Sequence, residues 1–172
     1  MAQADLALRQ AQREGANAWV LQEKLKSEQA VRSAAEWRTL IEHAITERSF
    51  VLLRQPVCRV ADKSVLHEEI FLRLRNPSDS DEVIAAGAFM PMAENAGQAP
   101  MIDRTVLELV VESMSESAGE ARLAVNMSPA SLLDRNLLTW LQGLLQQRQA
   151  AGSRLVLEWP EYGATAHLPQ LR

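Results

Sequence analysis

Apolar residues recur at helical spacing between Trp19 and Arg48, at Leu21, Leu25, Ala30, Ala34, Trp37, Leu40, Ile41, Ala44 and Ile45, with no Gly or Pro among them. That pattern predicts one long helix. Its middle, QEKLKSEQAVRSAAE, is polar around most of its circumference, as in a connector between two bodies or a coiled-coil seam, and only the last turns read as core-bound. Before it, Ala2 to Glu14 favours a short helix closed by Gly15 and Asn17. After Ser49 the period shortens. FVLLRQPVCRV, interrupted by Pro56, and VLHEEIFLRLR, separated by the turn-like ADKS, predict a β-hairpin. NPSDSDEV reads as a polar loop whose acidic end starts a helical stretch, GAFMPMAENAG as a loop and short helix closed by Gly97, and Arg104 to Glu116 as a helix.

RLAVNMSPASLL is a short apolar strand ending in Asn126, followed by a turn and a helix from Leu132 to Gln149. After Gly152, RLVLEWPE is a second apolar strand ending in Glu158. Strand, helix, strand is a βα repeat, whose right-handed crossover builds a parallel sheet or barrel. Chemistry in such barrels sits at the carboxyl ends of strands. Asn126 and Glu158 occupy two such ends, one βα unit apart.

Composition narrows the field. The 172 residues are 47% apolar and 23% charged, an ordinary globular balance, but only 5% aromatic, so the core must be built from Leu, Val, Ile and Ala. A formal net charge of −4 lacks the basic field of a sequence-independent duplex-DNA binder, so no nucleic-acid partner is expected. Cys58 is the one cysteine, which excludes an intramolecular disulfide and has no zinc-type spacing around it; a reducing, cytoplasmic setting is the expectation. The opening MAQADLALRQ carries Asp5 and Arg9 where a signal peptide needs an unbroken apolar stretch, and no long apolar run occurs.

Alternation places Glu69, Phe71 and Arg73 on one side of a strand. Two meanings are open: an exposed edge with a weak ion pair, or a metal or phosphate site at a barrel mouth. Asn126 can be a turn residue, with Ser128 capping the next helix; together with Glu69 and Glu158 it makes an all-oxygen set suited to Mg²⁺ or Mn²⁺ rather than zinc. Glu161 is either a base supporting that set or a helix-start acid. His43, His67 and His167 share no metal-binding spacing, and Phe89, Met90, Met92 and Met101 read as packing residues. No nucleotide-binding glycine loop or nucleophile elbow is present.

Taken in order, FVLLRQPV, EIFLRLRNP, GAFMPMAENAG, MIDRTVLE, LAVNMS and LVLEWPE resemble the first half of an EAL domain, the cyclic-di-GMP phosphodiesterase family. ADLALRQAQREGAN is similar to the last helix of a GGDEF domain, with Arg9, Gln12 and Ala16 in place of the usual Tyr, Lys and Arg. The resemblance implies an α/β fold, a partial TIM-like barrel of the EAL type with a long N-terminal linking helix. Residues 1–17 would be the tail of a GGDEF-like domain, 18–48 the linking helix and 49–172 the N-terminal portion of the EAL-like domain. It further implies that Gln55 contacts guanine and Arg73 phosphate of cyclic-di-GMP. Glu69, Asn126 and Glu158 would bind Mg or Mn, which activates water for in-line attack on one phosphodiester to give linear pGpG. A homodimer, an upstream GGDEF partner and membrane attachment only through an upstream anchor are the implied context.

Departures from the family pattern bear on activity. The signature triplet reads EIF, Leu74 replaces the Trp after the LR motif, and the ExTE strand reads EWPE, where Pro160 removes a hydroxyl and a backbone donor. The family's DDFG segment and its later Lys and Glu are expected beyond Arg172, so no catalytic residue is assigned within this stretch. From Phe50 onward the chain is about half of the roughly 250 residues a (β/α)₈ barrel needs, which predicts open strand edges and association of the isolated polypeptide. Three functions follow: a degenerate receptor that binds cyclic-di-GMP and signals through the long helix, an active phosphodiesterase in the full-length protein, or a dimerisation module. Tandem proteins with two degenerate domains of this sort include receptors that control periplasmic proteolysis and biofilm adhesion.

Overall fold

The computed structural model describes residues 32–160 apart from 78, 117–120 and 150–151, and of residues 79–82 the backbone alone. All described elements belong to the unit Ala34–Arg172. The expected GGDEF-like tail, residues 18–31 of the expected linking helix, His167 and Glu161 lie outside the described residues.

Helix α1, Ala34–Thr46, buries Leu40, Ile41 and Ala44, so the core-bound last turns are where the periodicity placed them. The single helix expected from Trp19 to Arg48 is therefore not continuous: Arg32 and Ser33 are not helical, and Ser33 followed by Glu36 has the residue spacing of a capping box, which suits a helix start at Ala34. Arg48, at φ 51°, turns the chain into strand β1, Phe50–Cys58. Strand β2, Val65–Asn76, returns antiparallel with Gln55 opposite Glu69 and Val51 opposite Arg73, the hairpin read from the sequence.

The acidic stretch read as a loop leading into a helix is instead strand β3, Asp79–Ala85. It pairs antiparallel with β2, Leu74 opposite Ile84. The reason is tertiary: β2 is long, its far edge is taken by the next parallel strand only at Glu68–Ile70, and the rest needs a partner to satisfy its backbone. Ile84, 1% exposed, anchors the pairing in the core.

Helix α2, Ala86–Asn95, carries Pro91 and buries Phe89 and Ala93, and the chain leaves it through Gly97 at φ 70°, the left-handed geometry glycine favours. Helix α3, Ala99–Glu116, begins earlier than the Val and Leu run suggested. Strand β4, Leu123–Asn126, and strand β5, Leu155–Glu158, add parallel to β2, giving the order β1-β2-β4-β5 with β3 on β2.

The helix expected from Leu132 to Gln149 is divided into a 3₁₀ turn, Pro129–Leu133, and helix α4, Leu137–Gln147. Asp134 interrupts it in extended geometry. Its carboxylate accepts from the Asn136 backbone N–H at 3.0 Å, a local bond unavailable inside a continuous helix, and from Arg104 at 2.6 Å. Arg104 also lies 4.6 Å over the Trp140 ring, tying α3 to α4.

In-register pairing puts Phe50, Leu52, Ile70, Leu72, Leu74, Leu123, Val125, Leu155 and Leu157 on one face of the sheet. With Phe89, Ile102, Val106, Leu107, Val110 and Val111 they form the core, nearly all aliphatic as the aromatic content required. Each fully buried side chain contributes about 1.5–3 kcal/mol. Met101 differs from the packing role expected of it, being 56% exposed, because it lies on the solvent side of α3. The opposite face of the sheet carries Gln55, Glu69, Phe71, Arg73, Asn126 and Glu158, and it is this face that presents the candidate site.

Candidate functional site

Strand pairing alone brings the predicted polar residues together. Glu69 is in register with Gln55 on one side and Ala124 on the other. Two residues further along β4 is Asn126, in register with Glu158 on β5. All of these face the same way because a strand alternates. The Asn126 Nδ2 donates to Glu69 Oε1 at 2.8 Å, which leaves the second Glu69 oxygen and the Asn126 carboxamide oxygen on the same side as the Glu158 carboxylate. The Met127 backbone N–H donates to the Glu158 carbonyl at 2.8 Å, so the ends of β4 and β5 stay paired one residue past the last strand position.

Gln55 is exposed on β1 and reaches this face through its place opposite Glu69. Arg73 donates to the Leu72 carbonyl at 2.9 Å and makes no ion pair with Glu69 among the described residues. The weak Glu69–Arg73 pair, one of the two meanings open at the sequence level, therefore does not form. His43 is exposed and His67 half-buried, and among the described residues no cluster of His, Cys, Asp or Glu is arranged to hold a metal. The Glu69, Asn126 and Glu158 set contains two acids and one amide, all hard oxygen donors. That chemistry fits Mg²⁺ or Mn²⁺ and does not fit zinc.

A cavity of about 650 Å³ opens beside these strand ends, lined among others by Phe71, Leu72, Met90, Glu94, Asn126 and Glu158. It lies where the far edge of β2 passes from β4 to β3, since β4 leaves at Ile70 and β3 begins at Arg73. A sheet with a gap in its pairing has room for a ligand there. Trp159 and Pro160, of the EWPE departure, also line it, and the Trp159 Nε1 is buried without a partner.

Asp103 in α3 also borders this cavity. It is 3% exposed, and one oxygen accepts from the Ser128 backbone N–H at 2.8 Å and from Ser131 Oγ at 2.5 Å. Burial pushes its carboxyl up to about 6; the bonds from Ser131 and Ser128 oppose the shift, and the charge of Glu94 adds to it. Sequence reasoning passed over Asp103. The signal was present: it stands three, four and seven residues before Val106, Leu107 and Val110, an acid inside an apolar helical stripe. Ser128 caps the 3₁₀ turn, its hydroxyl accepting from the Ala130 N–H at 3.2 Å, which is the capping role expected of it.

The fold and these strand ends define the class: part of a TIM-like βα barrel, its antiparallel first hairpin followed by parallel strands whose carboxyl ends carry polar groups. A model of the EAL domain matches residues 38–172, and the chain belongs to the EAL domain family. The FimX EAL domain from Pseudomonas aeruginosa, solved bound to cyclic-di-GMP, is similar at a TM-score of 0.71 and 32% identity over 78% of this chain. Among curated relatives, cyclic di-GMP phosphodiesterase PdeF of Escherichia coli is 28% identical over 92% of this chain. RNase E specificity factor CsrD of Escherichia coli is 25% identical over 100% of it. The chain spans 20% of PdeF, 26% of CsrD and 54% of the FimX domain chain. Among the described residues no helix is long and apolar enough to cross a membrane.

Proposed function

We propose that this stretch is the ligand-facing half of an EAL domain that binds cyclic-di-GMP as a receptor in a GGDEF–EAL tandem protein, residues 1–17 being the end of the GGDEF domain and 18–48 the connecting segment that ends in α1. The observation that carries it is the convergence of Gln55, Glu69, Asn126 and Glu158 on one sheet face, of which Asn126 and Glu158 also line the cavity of about 650 Å³. In this reading Arg73 holds a phosphate, Gln55 reaches a guanine, and the cavity accommodates part of the nucleotide. Occupancy is passed to α1, which enters the core through Leu40, Ile41 and Ala44. The altered EIF and EWPE motifs favour binding without turnover.

A second reading, hydrolysis to pGpG by the full-length protein, is favoured by the intact donor set. Glu69, Asn126 and Glu158 would hold Mg²⁺ or Mn²⁺, and the ion would supply an activated water and charge stabilisation. The chain's own share is to orient that set, through the Asn126–Glu69 bond and the β4–β5 pairing. The test is incubation of the full-length protein with cyclic-di-GMP and Mg²⁺ or Mn²⁺, followed by nucleotide separation and a binding measurement. Retained, unconverted cyclic-di-GMP supports the receptor. Appearance of pGpG, lost in Glu69→Ala, establishes the enzyme, and absence of both overturns the binding proposal.

A further inference from the structure

A leucine at position 103 would continue the α3 stripe of Ile102, Val106 and Val110, all buried, without the desolvation penalty of a carboxylate. The carboxylate does what leucine cannot. It accepts two hydrogen bonds from the segment that leaves β4, at Ser128 and Ser131, and so ties that segment to α3. On its other side the same segment is tied to β5 through the Met127 N–H and the Glu158 carbonyl at 2.8 Å. Asn126 is the residue immediately before this doubly held stretch. It is itself exposed, and its carboxamide donates to Glu69.

We propose that Asp103 is a positioning residue: by clamping Ser128 and Ser131 it fixes the backbone after Asn126 and thereby the direction in which the Asn126 carboxamide faces Glu69 and the cavity. The proposal rests on the reading of Asn126 as a ligand-side residue. Placement of such groups to within about half an ångström is what a second layer of hydrogen bonds provides. Both bonds are to one carboxylate oxygen, the stronger kind, and both are buried.

The readout is the side-chain amide signal of Asn126 in the full chain with ¹⁵N-labelled asparagine, assigned by its disappearance in Asn126→Asp. It is recorded without nucleotide or metal alongside thermal stability, and cyclic-di-GMP affinity is measured separately. In Asp103→Ala and Ser131→Ala the Asn126 signal is expected to shift or split, and affinity in Asp103→Ala to fall about tenfold or more. Asp103→Asn, which keeps an acceptor oxygen, is expected to restore the signal and part of the affinity. An unmoved Asn126 signal in folded Asp103→Ala overturns the proposal; if affinity has nevertheless fallen, Asp103 acts on the nucleotide directly. Should Asp103→Ala fail to fold, the signal in Ser131→Ala decides. If the wild-type chain does not bind cyclic-di-GMP, the functional reading fails while the amide signal still decides the role of Asp103.

Discussion

Ile70, Leu74, Leu123 and Val125 are 4%, 0%, 1% and 2% exposed, whereas Gln55 and Asn126, on the opposite face of the same sheet, stand exposed, and Glu69, Arg73 and Glu158 are half-buried. One sheet therefore has a face packed on helices α1 to α4 and an opposite face that carries these polar groups among Val51, Leu53, Phe71, Ala124 and Val156. The first face supplies the burial that offsets chain entropy. The second holds side chains whose burial would be unfavourable without partners, and their common direction follows from the stability of the first. A strand cannot turn Ile70 inward without turning Glu69 and Phe71 outward.

The largest effect that tests this division is on the packed face. Leu74→Ala is expected to destabilise the domain by about 2–5 kcal/mol, read by chemical denaturation, while Phe71→Ala costs well under half as much. Equal losses would show that both faces carry the fold.

Next comes Asp103, the one acid placed among the packed residues. Its folded carboxyl lies near 6 against an ordinary value of 3.8, so the folded state binds the proton more tightly. The stability this contributes is fully present below about pH 3.8 and is lost as pH rises through about 6, a change of up to roughly 3 kcal/mol. Denaturation midpoints between pH 4 and 7 should fall with this sign and flatten in Asp103→Asn. An identical pH profile in the variant would place the titration elsewhere.

Smaller still is the effect at Glu112 of α3, which accepts from Arg48 at 2.6 Å and from Arg148 at 2.6 Å. Both arginines hold the Glu112 carboxyl below the ordinary carboxylate range. With both arginine side chains over a third exposed, Glu112→Gln is expected to cost about 1 kcal/mol or less, and less again at high salt. The smallest change in stability is expected of Glu69→Gln, within about 0.5 kcal/mol; under the metal-dependent reading proposed above, the same substitution abolishes divalent-ion binding. A large drop in melting temperature for Glu69→Gln would erase the distinction between the two faces.

Legibility divides along the same line. The hairpin, the βα repeat and the strand-end positions of Asn126 and Glu158 were readable because alternation and apolar runs are local properties of the chain. Strand β3 was not, since its polar start and short apolar end, Val83, Ile84 and Ala85, form a strand only against the unpaired edge of β2. The break at Asp134 was hidden for the same reason, because Arg104, which holds its carboxylate, is 30 residues away. Asp103 was visible as an acid in an apolar stripe, but its meaning depends on Ser128 and Ser131, 25 and 28 residues further on.

By itself the sequence determined which residues share a strand face, which strand ends carry oxygen donors, and the family to which the chain belongs, because side-chain alternation and motif order need no knowledge of the fold. Only the tertiary structure decided that Asn126 bonds Glu69 instead of capping a turn, that Arg73 does not pair with Glu69, and that a buried carboxylate clamps the segment after Asn126. Those outcomes depend on distances between residues far apart in the chain, which are set when the helices bury the other face of the sheet.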